Sequence, residues 1–414
     1  MWKRHYRALW IDDVMDEITK NIFYNRLYMY PSDFCYLKEL AKNLRMKESE
    51  LWRLTSVMGA QELANTLPLV NYKNFCFDDK SPFDFRFNLH THSKYSDGAM
   101  NIDEWLNNAA ILANERANIR DDLPPFTVAL TDHDCIDGNL EVLKLLIKNP
   151  DKYKNLRVVL GCELGAVWMN SNVQRVPLEF ELIWFGLNPF DKNITDFLLL
   201  HHKKRVAATK GIINKLNLRF PDADFSYEEA CKKQPLLYKN QGLGFYNRVY
   251  TYAVDKLANE VLNGEVYSIC RMYNDTFGDN DKYPGQKIDD IFNLVRCNHF
   301  GFLGIAHPQK LNASKFINDE FANKCNQEGK NAAFELVMIW LDMLRRKGLK
   351  AMDINYQFDN GELLRAQQML EKKITIDNNF AAYHWIKLFA EYAEKYAILC
   401  SGGYDSHNKD FRTR

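Results

Sequence analysis

Short apolar runs in this chain repeatedly stop at clusters of histidine, aspartate and glutamate. The runs are Phe85–Leu89, Phe126–Leu130, Arg157–Leu160, Leu178–Phe185, Gly301–Ala306, Leu349–Ile354 and Ala397–Cys400. They are short and nearly continuous, as expected of strands buried on both faces rather than of half-exposed ones. Five of them end in or just before a motif: His90-Thr91-His92 with Ser96-Asp97-Gly98, Thr131-Asp132-His133-Asp134, Gly161-Cys162-Glu163, Ala306-His307-Pro308, and Gly402-Gly403-Tyr404-Asp405-Ser406-His407. The fourth and sixth runs do so less clearly. Five of the ten histidines fall in these motifs.

Helical patterns separate several of the runs. Asn101 and Glu104 form a possible capping box, followed by an apolar stripe of Ile102, Trp105, Leu106, Ala109, Leu112 and Ala113. Phe334 to Leu344 is strongly apolar and ends in Arg345-Arg346-Lys347 before Gly348, a regular helix stop. Strands alternating with helices predict an α/β chain built as a barrel of parallel strands, whose C-terminal strand ends share one rim. Such a rim brings sequence-distant imidazoles and carboxylates together, which is how a multinuclear Zn or Mn site is made.

The rest of the chain gives organisation more than chemistry. With 414 residues it can bury a large core. Basic and acidic residues balance at 54 each, so no global field draws in nucleic acid or an anionic membrane. The nine scattered cysteines form no Cys-x-x-Cys pair, which argues for a reducing compartment. Neither a signal peptide nor a membrane-spanning stretch is expected, and the default location is cytoplasmic. Residues 1 to 70 read as helical, either as a small bundle packed on the main domain or, less favoured, as a helix-turn-helix around Leu37 to Leu51 that recruits nucleic acid. A basic helix around Leu198 to Leu216 precedes a mostly helical insertion at about 220–286, which is expected to stand over the rim and choose the substrate. His201 and His202 read as part of a solvated polar face, and His299 and His384 as structural.

The motif order resembles that of the polymerase and histidinol phosphatase (PHP) family of metal-dependent phosphoesterases, over residues 85 to 414. The resemblance implies a distorted seven-stranded (β/α) barrel with two or three divalent ions (Mn, Zn or Fe). It implies hydrolysis of a nucleotide, an oligonucleotide end or another small phosphorylated molecule, as a phosphatase or a nuclease, by a hydroxide bridging two metals. It implies His90, His92, Glu163 and Asp405 as ligands of a first metal. Glu163 would bridge to a second metal that His307 also holds, and Asp97, His133 and His407 would hold a third. The second metal of the family normally takes a histidine from the fourth strand. Here the strand Leu178-Glu179-Phe180-Glu181-Leu182 has none, and Glu181 is the candidate replacement. That departure motivates an alternative, a barrel that has lost turnover and serves as a binding or regulatory module. Asp132 and Asp134 flank His133 and are candidate catalytic residues, orienting the imidazole or moving a proton. Lys204 and Arg205 on the basic helix and Arg248 in the insertion are candidate phosphate contacts. No membrane partner is expected, and the oligomeric state is not readable.

Overall fold

The computed structural model describes residues 42, 45, 58–69, 87–119, 125–189, 191–232, 244, 246–271, 285–298, 301–308, 311, 313–354, 382–403 and 405–407. The helix-turn-helix reading, His299 and the side chain of His384 lie outside them. Among the described residues the helices are α1 (Ala60–Thr66), α2 (Ile102–Ile119), α3 (Asp137–Lys148), α4 (Lys192–Arg219), α5 (Tyr227–Lys232), α6 (Tyr246–Leu257), α7 (Asn263–Arg271), α8 (Ile288–Asn298), α9 (Asp319–Gln327), α10 (Ala332–Lys347) and α11 (Ala382–Tyr396). The strands are β1 (Phe87–Asn88), β2 (Phe126–Leu130), β3 (Leu156–Trp168), β4 (Leu178–Phe185), β5 (Gln286–Lys287), β6 (Phe302–Ile305), β7 (Ala351–Asp353) and β8 (Leu399–Ser401).

One mixed α/β sheet runs β1-β2-β3-β4-β6-β7-β8, with β5 paired to β3 off this path. It curls until its two ends meet. Leu89 N donates to Gly402 O at 2.9 Å, His92 N to Ser406 O at 3.0 Å and Ser406 N to His90 O at 3.1 Å, so the segments after β1 and β8 pair across the gap. Gly403 lies in this seam. A Cβ there would meet His90 N at 2.5 Å, a distance no side chain tolerates.

The all-parallel expectation fails at one strand. β4 runs antiparallel to both β3 and β6. The connection from Trp168 to Leu178 is too short to carry a crossover helix, and only an antiparallel return is open to it. β3 also runs eight residues beyond its expected end, from Leu160 to Trp168, and pairs with β4 along that length. The register sets Gly165 opposite Glu181, and the β3–β4 ribbon therefore carries Glu181 to the same rim as Glu163.

Side chains alternate between the two faces of the sheet. Inward-facing Leu89, Ala129, Val159, Ile183, Phe185 and Ala351 pack with Met58, Leu63 and Leu67. Residues 58–69 thus plug the barrel at the end where β6 and β8 begin: Gly186 packs on Ala60, and Cys400 N donates to Pro68 O at 2.8 Å. On the outer face, β3, β4, β6 and β7 bury Leu164, Leu182, Leu303 and Met352 against α8, α10 and α11. Trp340 of α10 is fully buried there, edge-on to Phe180. The predicted caps are present. Asn101 and Glu104 exchange hydrogen bonds of 2.8 and 2.9 Å, and Gly348 ends α10 in the left-handed region at φ 109°.

The insertion has a core of its own. Ile212, Ile213 and Leu216 of α4 pack with Phe225, Val249, Tyr252, Ala253 and Val266. Because α4 also reaches the barrel, through Ile194 and Leu198, it is the beam on which α5, α6 and α7 are mounted. No helix among the described residues is long and apolar enough to cross a membrane.

Candidate metal centre

The rim formed by the motif-bearing strands brings together the eight side chains that the resemblance implied as ligands, and Glu181, the candidate replacement for the missing histidine. Glu163 stands at the middle, fully buried. Its Oε2 lies 3.0 Å from His90 Nε2, 3.2 Å from His92 Nε2 and 3.3 Å from His133 Nδ1. Its Oε1 lies 3.2 Å from His307 Nε2. Asp405 Oδ1 is 3.4 Å from His90 Nε2 and 3.2 Å from His92 Nε2. Thus His90 and His92 each face both Glu163 and Asp405, and Glu163 turns its second oxygen toward His307.

Glu181 reaches the same place. Its Oε2 is 3.1 Å from His307 Nε2 and its Oε1 is 3.7 Å from His133 Nδ1. A third convergence forms where Asp97 Oδ2 sits 3.3 Å from His407 Nε2 and 3.7 Å from His133 Nε2. The rings of His133 and His407 both stack on His92, at centroid distances of 4.6 and 4.3 Å, and lie 6.4 Å from each other. Three overlapping groups have donor spacings that fit cations: His90, Glu163, His307 and Asp405; His92, Asp97, His133 and His407; and His133, Glu163 and Glu181.

The backbone is bent to make this arrangement. Asp134, His307 and Asp405 all have positive φ, at 48°, 22° and 49°. Non-glycine residues there cost about 1–3 kcal/mol each and persist where the surroundings hold them. Gly98 closes the loop after His92 so tightly that a Cβ would lie 2.3 Å from His92 O.

The charges explain one another only in part. Burial lowers the affinity of His90 for a proton, but Glu163, Asp405 and Asp353 outweigh it and raise its pKa to about 10. His92 is driven upward in the same way by Asp405 and Glu163. Burial pushes Glu163 and Asp97 up, yet the surrounding imidazoles hold both well below the usual carboxylate range. Glu163 Oε1, Asp97 Oδ1 and both ring nitrogens of His92 are buried without a well-directed hydrogen bond among the described residues. Buried acceptors of this kind need a partner, and imidazole nitrogens facing carboxylates suit a divalent cation. The residues therefore fit divalent-cation binding.

The geometry shows where the remaining predicted residues stand. Asp132 does not face the His133 imidazole: Oδ1 accepts from Ser93 N and Ser96 Oγ, and Oδ2 from Ser93 Oγ, all at 2.7 Å. Its carboxylate is fully occupied in bracing the loop that carries Asp97. His201 and His202 are buried, not on a solvated face. They lie on the side of α4 that meets the barrel, where His201 Nε2 is 3.3 Å from Asp134 Oδ2. Arg205 pairs with the same oxygen, and with His201 it holds Asp134 ionised against its burial. Asp134 thus ties α4 to the rim and also accepts from Gly165 N at 3.4 Å. Arg248 contacts the protein itself, donating to Ser96 O at 3.3 Å and Gly98 O at 2.8 Å. Lys204 is half-buried beside Arg205.

One residue escaped the sequence reading. Asp353, at the end of β7, is buried with Oδ2 3.1 Å from His90 Nδ1, and it fixes which ring nitrogen His90 turns to the centre. The sixth apolar run carries this aspartate next to its last residue, Ile354. A lone carboxylate without a neighbouring histidine gave no motif to mark it.

No family model matches the chain, and no curated protein matches its sequence. Solved structures are similar to it at low identity. A putative metal-dependent phosphoesterase from Bifidobacterium adolescentis is 17% identical over 80% of this chain and 90% of that chain, with a TM-score of 0.49. An amidohydrolase from Chromobacterium violaceum, solved with sulfate and no metal, is 17% identical over 78% of this chain and 88% of that one, with a TM-score of 0.48.

Proposed function

We propose that this chain is a metal-dependent phosphoesterase that hydrolyses a small phosphorylated molecule, a nucleotide or an oligonucleotide end. The observation that carries the reading is the carboxylate of Glu163, which offers one oxygen to His90 and His92 and the other to His307. A carboxylate so placed is suited to join two cation sites. His90, His92, Glu163 and Asp405 would hold the first ion. Glu163, His307 and Glu181 would hold the second, and Asp97, His133 and His407 the third. The order of the motifs along the chain supports the phosphoester class.

When bound, divalent ions in such a set supply Lewis acidity toward phosphate oxygens and a water acidic enough to act at neutral pH. The protein's own groups do the rest. Asp353 sets the His90 tautomer, and Asp132 fixes the loop that presents Asp97. Arg205, anchored by Asp134, places a guanidinium beside the anionic centre, where it is suited to receive a phosphate oxygen. Glu181 fills the role of the missing fourth-strand histidine. A carboxylate there adds negative charge, which favours harder ions such as Mn over a softer, histidine-rich preference.

The test is elemental analysis of purified protein, paired with a phosphate-release screen. Mn-loaded wild type would be compared with an Asp405→Asn/His407→Asn double variant on mononucleotides, dinucleotides and sugar phosphates. Two or three ions per chain, with release abolished in the double variant, is the expected result. One ion or none, with no release from any substrate, would make the barrel a binding module instead.

A further inference from the structure

The helical insertion does more at the rim than cover it. Arg248 lies on the second residue pair of α6, inside the insertion, and its guanidinium reaches out of that helix to the loop after β1. There it donates to two carbonyls, Ser96 O and Gly98 O, which flank Asp97 on either side. The same loop is gripped from below by Asp132 through Ser93 and Ser96. Asp97 therefore sits on a loop clamped between a β2 carboxylate and an α6 guanidinium. Asp97 is the carboxylate of the group formed with His92, His133 and His407.

The rest of the approach is built to hold Arg248 in place. Gly244, four residues earlier, packs against α4 so closely that a Cβ would lie 3.0 Å from His202 and 3.1 Å from Arg205. Val249 and Tyr252, on the next turn of α6, are buried in the insertion's own core. The guanidinium is thus carried by a packed helix, not by a loose loop. Donors directed at the carbonyls on both sides of Asp97 fix the loop's position far better than a single ammonium could.

Building on the metal-site reading above, we infer that Arg248 is a positioning residue through which the insertion controls occupancy of the cation site at Asp97. The two Glu163-centred sites draw their donors from the strand ends and the β3–β4 ribbon, and none of those donors touches Arg248. Arg248 therefore ties the insertion directly to the cation site at Asp97, whose His133 is shared with one of the Glu163 groups. A guanidinium spent on loop carbonyls is also less available as a phosphate ligand.

The test uses the full chain with Arg248→Lys and Arg248→Ala. Each protein would be loaded with Mn(II), freed of excess ion and analysed for metal per chain, with chelator competition giving the affinity of each class of site. The expected result is that both variants lose the weakest-held ion, or bind it at least tenfold more weakly, while the remaining ions bind as in wild type. Backbone hydrogen exchange over residues 94–99 should rise in both variants, with Arg248→Lys the milder. Unchanged stoichiometry and affinity, or unchanged exchange in that loop, would overturn the inference. A rise in KM at full metal content would overturn it too, by making Arg248 a phosphate contact. A wild type that binds no metal at all would instead sink the metal-site reading, an outcome that elemental analysis of the wild type separates from the others.

Discussion

Asp353 and His90 show how much a single buried pair can settle. The carboxylate holds His90 Nδ1 so that Nε2 faces Glu163 and Asp405. Partners of this kind typically govern metal affinity by 10–100-fold when removed. Asp353→Asn should weaken metal binding by roughly that factor. Its thermal midpoint without metal should fall only slightly, because the amide keeps the shape and one acceptor. Metal titration followed by calorimetry checks this, and equal affinity in the two proteins would refute it. The same histidine gives a pH prediction. Its pKa in the metal-free fold is raised from 6.5 to about 10, so its contribution to stability is complete below pH 6.5. That contribution is lost as pH climbs through about 10. A metal ion must displace that proton. Binding should therefore release protons between pH 6.5 and about 10, and apparent affinity should rise with pH across that window. Calorimetry in buffers of differing ionisation heat measures the release, and none at pH 7.5 would count against it.

At the scale of elements, the helices are held by caps and by what they bury, in unequal measure. The Asn331 side chain accepts from Ala333 N and Phe334 N at the start of α10. Trp340, midway along the same helix, is fully buried against the sheet. Losing the cap in Asn331→Ala should cost about 1 kcal/mol. Trp340→Ala should cost about 3–5 kcal/mol, because the cavity it leaves cannot close against a rigid sheet. Urea denaturation of the two variants gives the comparison. The end of α10 was legible in the sequence because Arg345 to Lys347 in its last turn and Gly348 after it are local signals, whereas its start two residues before Phe334, capped by Asn331, was not read. The direction of β4 was not, since nothing in Leu178–Phe185 itself distinguishes a parallel from an antiparallel strand. Only the short link from Trp168 excludes a crossover. The extension of β3 to Trp168 was equally hidden: it is stabilised by pairing with β4 and β5, both distant choices of the fold.

Across the whole molecule, the candidate centre works as a clasp. Its donors come from within β3 and β4 and from the segments just after β1, β2, β6 and β8, so a cation there would tie most of the barrel's circumference together. Ligand binding to the folded state alone adds about 2.7 kcal/mol at a hundredfold excess over Kd. Chelation should therefore lower the melting temperature of the metal-loaded protein by several degrees. Glu163→Gln should melt closer to the chelated wild type and respond less to added Mn, because it removes the charge that two of the three groups share. Differential scanning calorimetry with and without chelator tests both statements.

What the sequence by itself determined was the inventory and its order: seven apolar runs, and nine ligand-type side chains set at strand ends or, for Glu181, within a strand. Hydrophobic runs and ligand residues are written locally, and a barrel gathers strand ends whatever their separation in the chain. What only the tertiary structure decided was every relation between segments. Asp132 braces Ser93 and Ser96 instead of an imidazole, His201 turns inward to Asp134, Arg248 grips the Asp97 loop, and residues 58–69 plug the barrel floor. Each of those depends on which face of one element meets which face of another. A side chain's partner across space is fixed by packing, and packing is set by the whole chain at once.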